Sequence, residues 1–185
     1  MTLDIALDAD EDWDSSTDWA GLAEAAARAA IAESAFPLLA EGERPVELSI
    51  VLTDDEQVRA LNAQWRDKDK PTNVLSFPQA EPHELERAAA PGPELMLGDI
   101  VLALETCTRE AKDKAITLEA HAAHLLVHGT LHLLGYDHEE DQTATDMEAR
   151  ETRALARLGL ADPYLDFPLP SRERDSMRSM QGEGA

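Results

Sequence analysis

The 185-residue chain holds a single cysteine, Cys107. No disulfide can close within it, and a multi-cysteine metal site is excluded. Cys107 itself is read as a core residue. Positive charge is scarce: 16 Lys and Arg stand against 38 Asp and Glu, a formal net charge of −22. Such a balance favours solubility and repels polyanions, so any nucleic-acid role needs a local source of positive charge. No apolar run reaches the roughly 18 residues that a membrane span requires. The opening stretch, Met1 to Asp8, lacks the basic head and apolar run of a secretory leader. These absences together predict a soluble, reduced, cytoplasmic protein.

What is present argues for a globular fold. A hydrophobic fraction of 43% suits a packed core, and the length suits one domain. We place that domain over residues 1–167, and the polar stretch 168–185 reads as a frayed tail. Leu3 to Asp8 alternates as a half-buried strand does, and Val46 to Leu52, Thr72 to Phe77 and Leu97 to Leu104 add three more strands. Helices are predicted from Trp19 to Ala35, after the cap Thr53-Asp54-Asp55-Glu56, through Glu110, from Thr117 to Leu134, and from about Gln142 to Leu158. The Pro-, Ala- and acid-rich stretch Gln79 to Glu94 has no periodicity and reads as a mobile loop. Four short strands with about five helices predict an α+β fold, an α/β sandwich built on one small mixed sheet.

The histidines carry the chemistry. Five of the six lie between positions 121 and 138. His128 and His132, four residues apart, project from one face of a helix. Gly135 follows, where a left-handed turn can stop the helix and bring His138 back towards the pair. Three imidazoles can then meet on one Zn²⁺ and leave a fourth position open. Ni²⁺ or another divalent ion suits the same donors. His124 cannot complete this set, because it is about 12 Å along the helix from His132. It reads as a support for the ligands, a group facing substrate, or a base. His121 reads as helix surface or packing. The spacing matches the H-E-x-x-H-x-x-G-x-x-H frame of zincin-like proteases, except that Gly129 stands where those enzymes carry their general-base glutamate. The metal frame is kept while the peptidase chemistry is not.

The run from His128 to His138 resembles the signature of the YbeY family, bacterial endoribonucleases also called rRNA maturation factors. Asn62 to Pro78 is similar to the family's arginine-bearing helix end and following strand, and Leu97 to Ile100 to its next strand. Asn73 stands where an aspartate is common and Trp65 where tyrosine or phenylalanine is usual; neither removes a ligand. The resemblance covers about residues 46–164. It implies a metal-dependent, single-strand-specific endoribonuclease acting in 16S rRNA 3′-end maturation and ribosome quality control. Implied partners are single-stranded rRNA, the small ribosomal subunit, and a ribosomal protein or ribosome-associated GTPase.

The residues allow that chemistry. Zn²⁺ on neutral histidines activates water and polarises a phosphoryl oxygen. A guanidinium nearby stabilises the charge that develops on a phosphodiester, and Arg66 is the candidate. His124, Asp137 and Asp99 are open alternatives for a base, and Asp137 equally for a group that orients a histidine. Local positive charge would come from the metal, Arg66, Lys68 and Lys70, aided by Lys112 and Lys114. Two other readings compete with the nuclease. One is a non-catalytic ribosome-assembly adaptor with a structural metal, and the other, weakened by Gly129, is a metallopeptidase or amidase.

Overall fold

Alternation along the strands and capping of the helices set most element boundaries. The computed structural model describes residues 3–88 and 90–164. Its four strands are β1 (Leu3–Ala9), β2 (Val46–Thr53), β3 (Val74–Pro78) and β4 (Leu95–Ala103), joined in one sheet in the order β1-β2-β4-β3. The first three in that order run parallel, and β3 lies antiparallel to β4 at an edge. Parallel neighbours need long crossovers, which helices supply. Between β1 and β2 these are α1 (Trp19–Ala32) and the short α2 (Leu38–Glu41); α3 (Asp55–Arg66) follows β2. α5 (Leu104–Asp113), α6 (Leu118–Leu133) and α7 (Asp141–Arg157) follow β4. The expected α+β architecture with a mixed four-stranded sheet is therefore the one observed.

The described residues hold seven helices against the expected five or so, and one of the two short extra ones corrects the reading of the acidic loop. Residues 82–86 form α4 (Pro82–Glu86), with a reciprocal capping box between Glu81 and Glu84 and proline in the first turn. Leu85 and Ala88 are buried in the core, and Arg44 Nε donates to Pro93 O at 2.9 Å. The segment is anchored rather than loose. The expected tail from residue 168 lies outside the described residues.

α6 decides where the site sits. Every residue from His121 to Leu133 is buried, which is the mark of a helix covered on all sides. It packs against β3, β4, α1, α5 and α7. Small residues allow the close approach: Ala23, Ala26, Ala27 and Ala30 of α1 are fully buried in the same core. On the sheet side, a Cβ at Gly129 would stand 3.0 Å from Ile100 Cγ2 and 3.2 Å from Ser76 Oγ. Gly98 serves the sheet itself. It has a φ of +141° at the register shift between β2 and β4, and a Cβ there would lie 2.3 Å from Phe77 O.

Candidate metal centre

A helix buried on all sides must find a partner for each of its imidazoles, because an unsatisfied buried polar group is costly. Three of the four on α6 are held by carboxylates. His121 Nε2 donates to Glu110 Oε1 at 2.8 Å, and His124 Nε2 donates to Glu151 Oε2 at 3.2 Å. The other oxygen of Glu151 takes Nδ1 of His128 at 2.5 Å. This bond fixes the tautomer: with the proton on Nδ1, His128 turns a bare Nε2 lone pair away from Glu151. That lone pair faces His132 Nε2 at 2.9 Å.

The third ring arrives through the helix end. Tyr136 N donates to Leu131 O and Gly135 N to His132 O, the paired bonds of a Schellman turn, with Gly135 at φ +97°. The Tyr136 hydroxyl accepts Ala35 N at 2.9 Å and so ties the turn to the end of α1. His138 then stacks on His128, ring centroids 4.5 Å apart, and meets His132 edge-on at 4.7 Å. One ligand atom from each of His128, His132 and His138 lies within 4.8 Å of the others. Burial, followed by the neighbouring His128 and His138 rings, pushes His132 down to about 2, so its lone pair is available at neutral pH.

Glu151 supplies a second reason to place a cation here. It is 0% exposed, and its carboxylate takes hydrogen bonds from His124, His128 and the Tyr164 hydroxyl. Burial raises its pKa, but the two histidines outweigh that and hold it well below the usual carboxylate range. Nothing cationic touches it among the bonds described. A divalent ion beyond the His128 ring would add to the countercharge of Lys114, which lies within Coulombic reach of Glu151, so donors and electrostatics both fit a metal.

The structure narrows the sequence reading at several residues. His124 does not face substrate; it is 3% exposed and bound to Glu151. His121 takes the packing alternative rather than the surface one, because α6 has no exposed face at that level. Asp137 orients no histidine through a described bond; its Oδ1 accepts Glu139 N within the turn at 3.3 Å. Asn73, which stands where an aspartate is common, lies in the interior and donates its Nδ2 proton to Glu110 Oε1 at 3.0 Å. Asp99 takes a bond from Gln79 at 2.7 Å. Lys114 is largely drawn in towards Glu110, and burial lowers its pKa. Cys107 is fully buried, as expected of a core residue.

Glu151 was the residue that sequence reasoning missed. The signal for it existed: it falls on the buried stripe Ala144, Met147, Glu151, Ala154 of an otherwise solvated helix.

Arg66 ends α3, where Asp67 turns the chain in the left-handed region. Its Nη2 donates to Ser76 O at 3.1 Å, its guanidinium lies 5.9 Å from the Phe77 ring centre, and burial lowers its pKa. Ser76 is also the residue whose hydroxyl packs under Gly129, next to His128. The edge strand β3 therefore carries Arg66 on one residue and supports the histidine helix on the same one. Trp65 beside it is 65% exposed.

The buried histidines give the fold a pH dependence. Burial holds His121 down to about 4, against about 6.5 in an unfolded chain. The unfolded state therefore binds more protons between these values, and stability present above pH 6.5 is lost as the pH falls towards 4. For this residue the loss from pH 7 to pH 5 should be about 2 kcal/mol. Urea unfolding of metal-free protein at the two pH values, with His121→Gln alongside, measures it. The variant should show the smaller drop, and an equal drop would remove His121 from the account.

Comparison with known proteins identifies the relatives. A family model described as Endoribonuclease YbeY matches residues 10–159. The chain is 51% identical to the Endoribonuclease YbeY of Sphingopyxis alaskensis over 89% of its own length and 98% of the relative's. It is 50% identical to that of Erythrobacter litoralis, over 90% and 99% of the two chains. With that of Agrobacterium fabrum it shares 52% identity over 89% and 95%.

Proposed function

This chain belongs to the endoribonuclease YbeY family, and from that premise we propose a metal-dependent, single-strand-specific endoribonuclease. Its task is 3′-end maturation of small-subunit 16S rRNA and ribosome quality control, carried by a domain over residues 1–167. The observation that carries the reading is the tautomer lock: Glu151 holds the His128 Nδ1 proton at 2.5 Å and leaves Nε2 bare opposite His132.

His128, His132 and His138 would hold the ion, and Zn²⁺ is the one proposed, because three imidazoles with an open position suit it. Bound there, zinc supplies Lewis acidity towards a phosphoryl oxygen and lowers the pKa of a water. The protein's own residues do the rest. Glu151 and His124 keep the His128 ring in one tautomer and one orientation. Arg66, pinned to β3 with its guanidinium partly withdrawn from water, would offer N–H donors to non-bridging phosphate oxygens and stabilise charge that grows during cleavage. The exposed Trp65 indole beside it suits stacking on an unpaired base, a contact that duplex RNA does not offer.

The net charge of −22 then acts as a filter. Polyanions are repelled from most of the surface, and the attraction is confined to the metal, Arg66 and the exposed Lys68 and Lys70. RNA held by the small ribosomal subunit, with a ribosomal protein or ribosome-associated GTPase as partner, fits that constraint better than free RNA. Among the described residues no helix is long and apolar enough to cross a membrane; a cytoplasmic site of action is part of the proposal. Peptidase chemistry has no support, because position 129 carries no carboxylate and is closely packed against Ile100 and Ser76.

Removal and return of the metal tests the proposal. Purified protein should cleave single-stranded rRNA, lose the activity on chelation and regain it with zinc, and spare a duplex of the same sequence. Equal activity in stripped and reloaded protein, or cleavage by neither, would overturn it.

A further inference from the structure

The turn that ends α6 occurs again at the end of α7. Leu160 N donates to Leu155 O, Gly159 N donates to Ala156 O, and Gly159 has a φ of +75°. At α6 this Schellman turn returns His138 to the ligand cluster. At α7 it sends the chain back along its own helix. The returning segment is pinned by Asp162, whose Oδ1 accepts Tyr164 N at 2.8 Å and lies 3.3 Å from Thr152 Oγ1, a hydroxyl shared with Glu148 O at 2.9 Å. Thr152 is the neighbour of Glu151, so the pin sets Tyr164 beside that carboxylate. The Tyr164 hydroxyl donates to Glu151 Oε2, and its ring meets His124 edge-on with centroids 5.8 Å apart.

We propose that this strap, residues 160–164, is part of the metal centre, and that Tyr164 is a positioning residue acting on the bound ion through Glu151 and His128. The strap lies beyond residue 159, where the family match ends. The argument is one of saturation and aim. Glu151 Oε1 serves His128 alone, while Oε2 receives both His124 and Tyr164. With Oε2 occupied from two sides, the carboxylate cannot rotate, and Oε1 stays directed at Nδ1 of His128. A histidine ligand whose far nitrogen is held by a fixed carboxylate binds metal more tightly than one whose partner can swing. The inference rests on the metal reading above.

Tyr164→Phe removes the hydroxyl and leaves the ring on His124. Zinc affinity of the full-length chain, measured by competition with a chromophoric chelator, should fall about 3- to 10-fold, below the 10–100-fold typical of direct ligand supports. Asp162→Ala, which frees the strap by a different route, should lower it in the same direction. The decisive comparison is Glu151→Gln. That variant should lose more affinity, and adding Tyr164→Phe to it should cost nothing further, because the route is already cut. Unchanged zinc affinity in Tyr164→Phe, or an equal loss in the Glu151→Gln background, would overturn the inference while leaving the metal reading intact. A wild-type chain that takes up no zinc would overturn both.

Discussion

His128→Ala is expected to lose the bound metal and, with it, RNA cleavage by about 10³-fold or more, the scale of several kcal/mol of transition-state stabilisation. Two effects combine at this residue. One of three ligands disappears, and Glu151 loses the donor at 2.5 Å that its Oε1 holds. A buried carboxylate oxygen left without its donor costs about 1–3 kcal/mol, so this variant should also unfold at lower denaturant. His138→Ala separates the two effects. It removes a ligand from the turn after α6 and leaves the Glu151 bonds to His124 and His128 in place. Cleavage and metal content should fall in both variants, while urea stability measured without metal should fall mainly in His128→Ala. Stoichiometric metal and wild-type cleavage in either variant would contradict the assignment.

Arg66→Ala is expected to lower the cleavage rate by about 10²–10³, the usual cost of one fixed donor to developing charge. Metal content should not change, because the bond described for Arg66 runs to Ser76 O, and Ser76 in turn packs at Gly129 rather than on a ligand ring. Arg66→Lys should recover part of the rate, since an ammonium restores charge without the planar fork that matches two phosphate oxygens. Single-turnover kinetics on a short single-stranded RNA, with metal analysis of the same samples, reads both quantities. A wild-type rate in Arg66→Ala would remove it from the site, and loss of metal would make it a structural residue instead.

The parts of this site that were legible in the sequence are those set by local geometry. His128 and His132 share a helix face because four residues is about one turn, and Gly135 marks the return of His138 because glycine accepts the left-handed backbone. Nothing distant had to be known. Glu151 was different. It comes from another helix, 23 residues from His128, and in sequence it is one more acid in an acidic chain. Its place on the buried stripe of α7 shows what it does, and that stripe acquires meaning only once α7 is seen packed on α6.

The same distinction explains the fold. The four strands were readable from alternation and apolar runs, but their order was not, since pairing of β3 with β4 rather than with β2 is a long-range choice. α4 was missed because composition hid a capping box, Glu81 to Glu84, inside a segment rich in proline and acid. Of the two alternatives for His121, surface and packing, the second holds, because α6 has no solvated face between His121 and Leu133.

X-ray absorption at the zinc edge on the purified, zinc-loaded full-length protein tests the central claim most directly. The account predicts one ion per chain with three imidazole nitrogens in its coordination shell, falling to two in His132→Ala or to no bound ion at all. A shell dominated by carboxylate oxygens, or one that His132→Ala leaves unchanged, would contradict it.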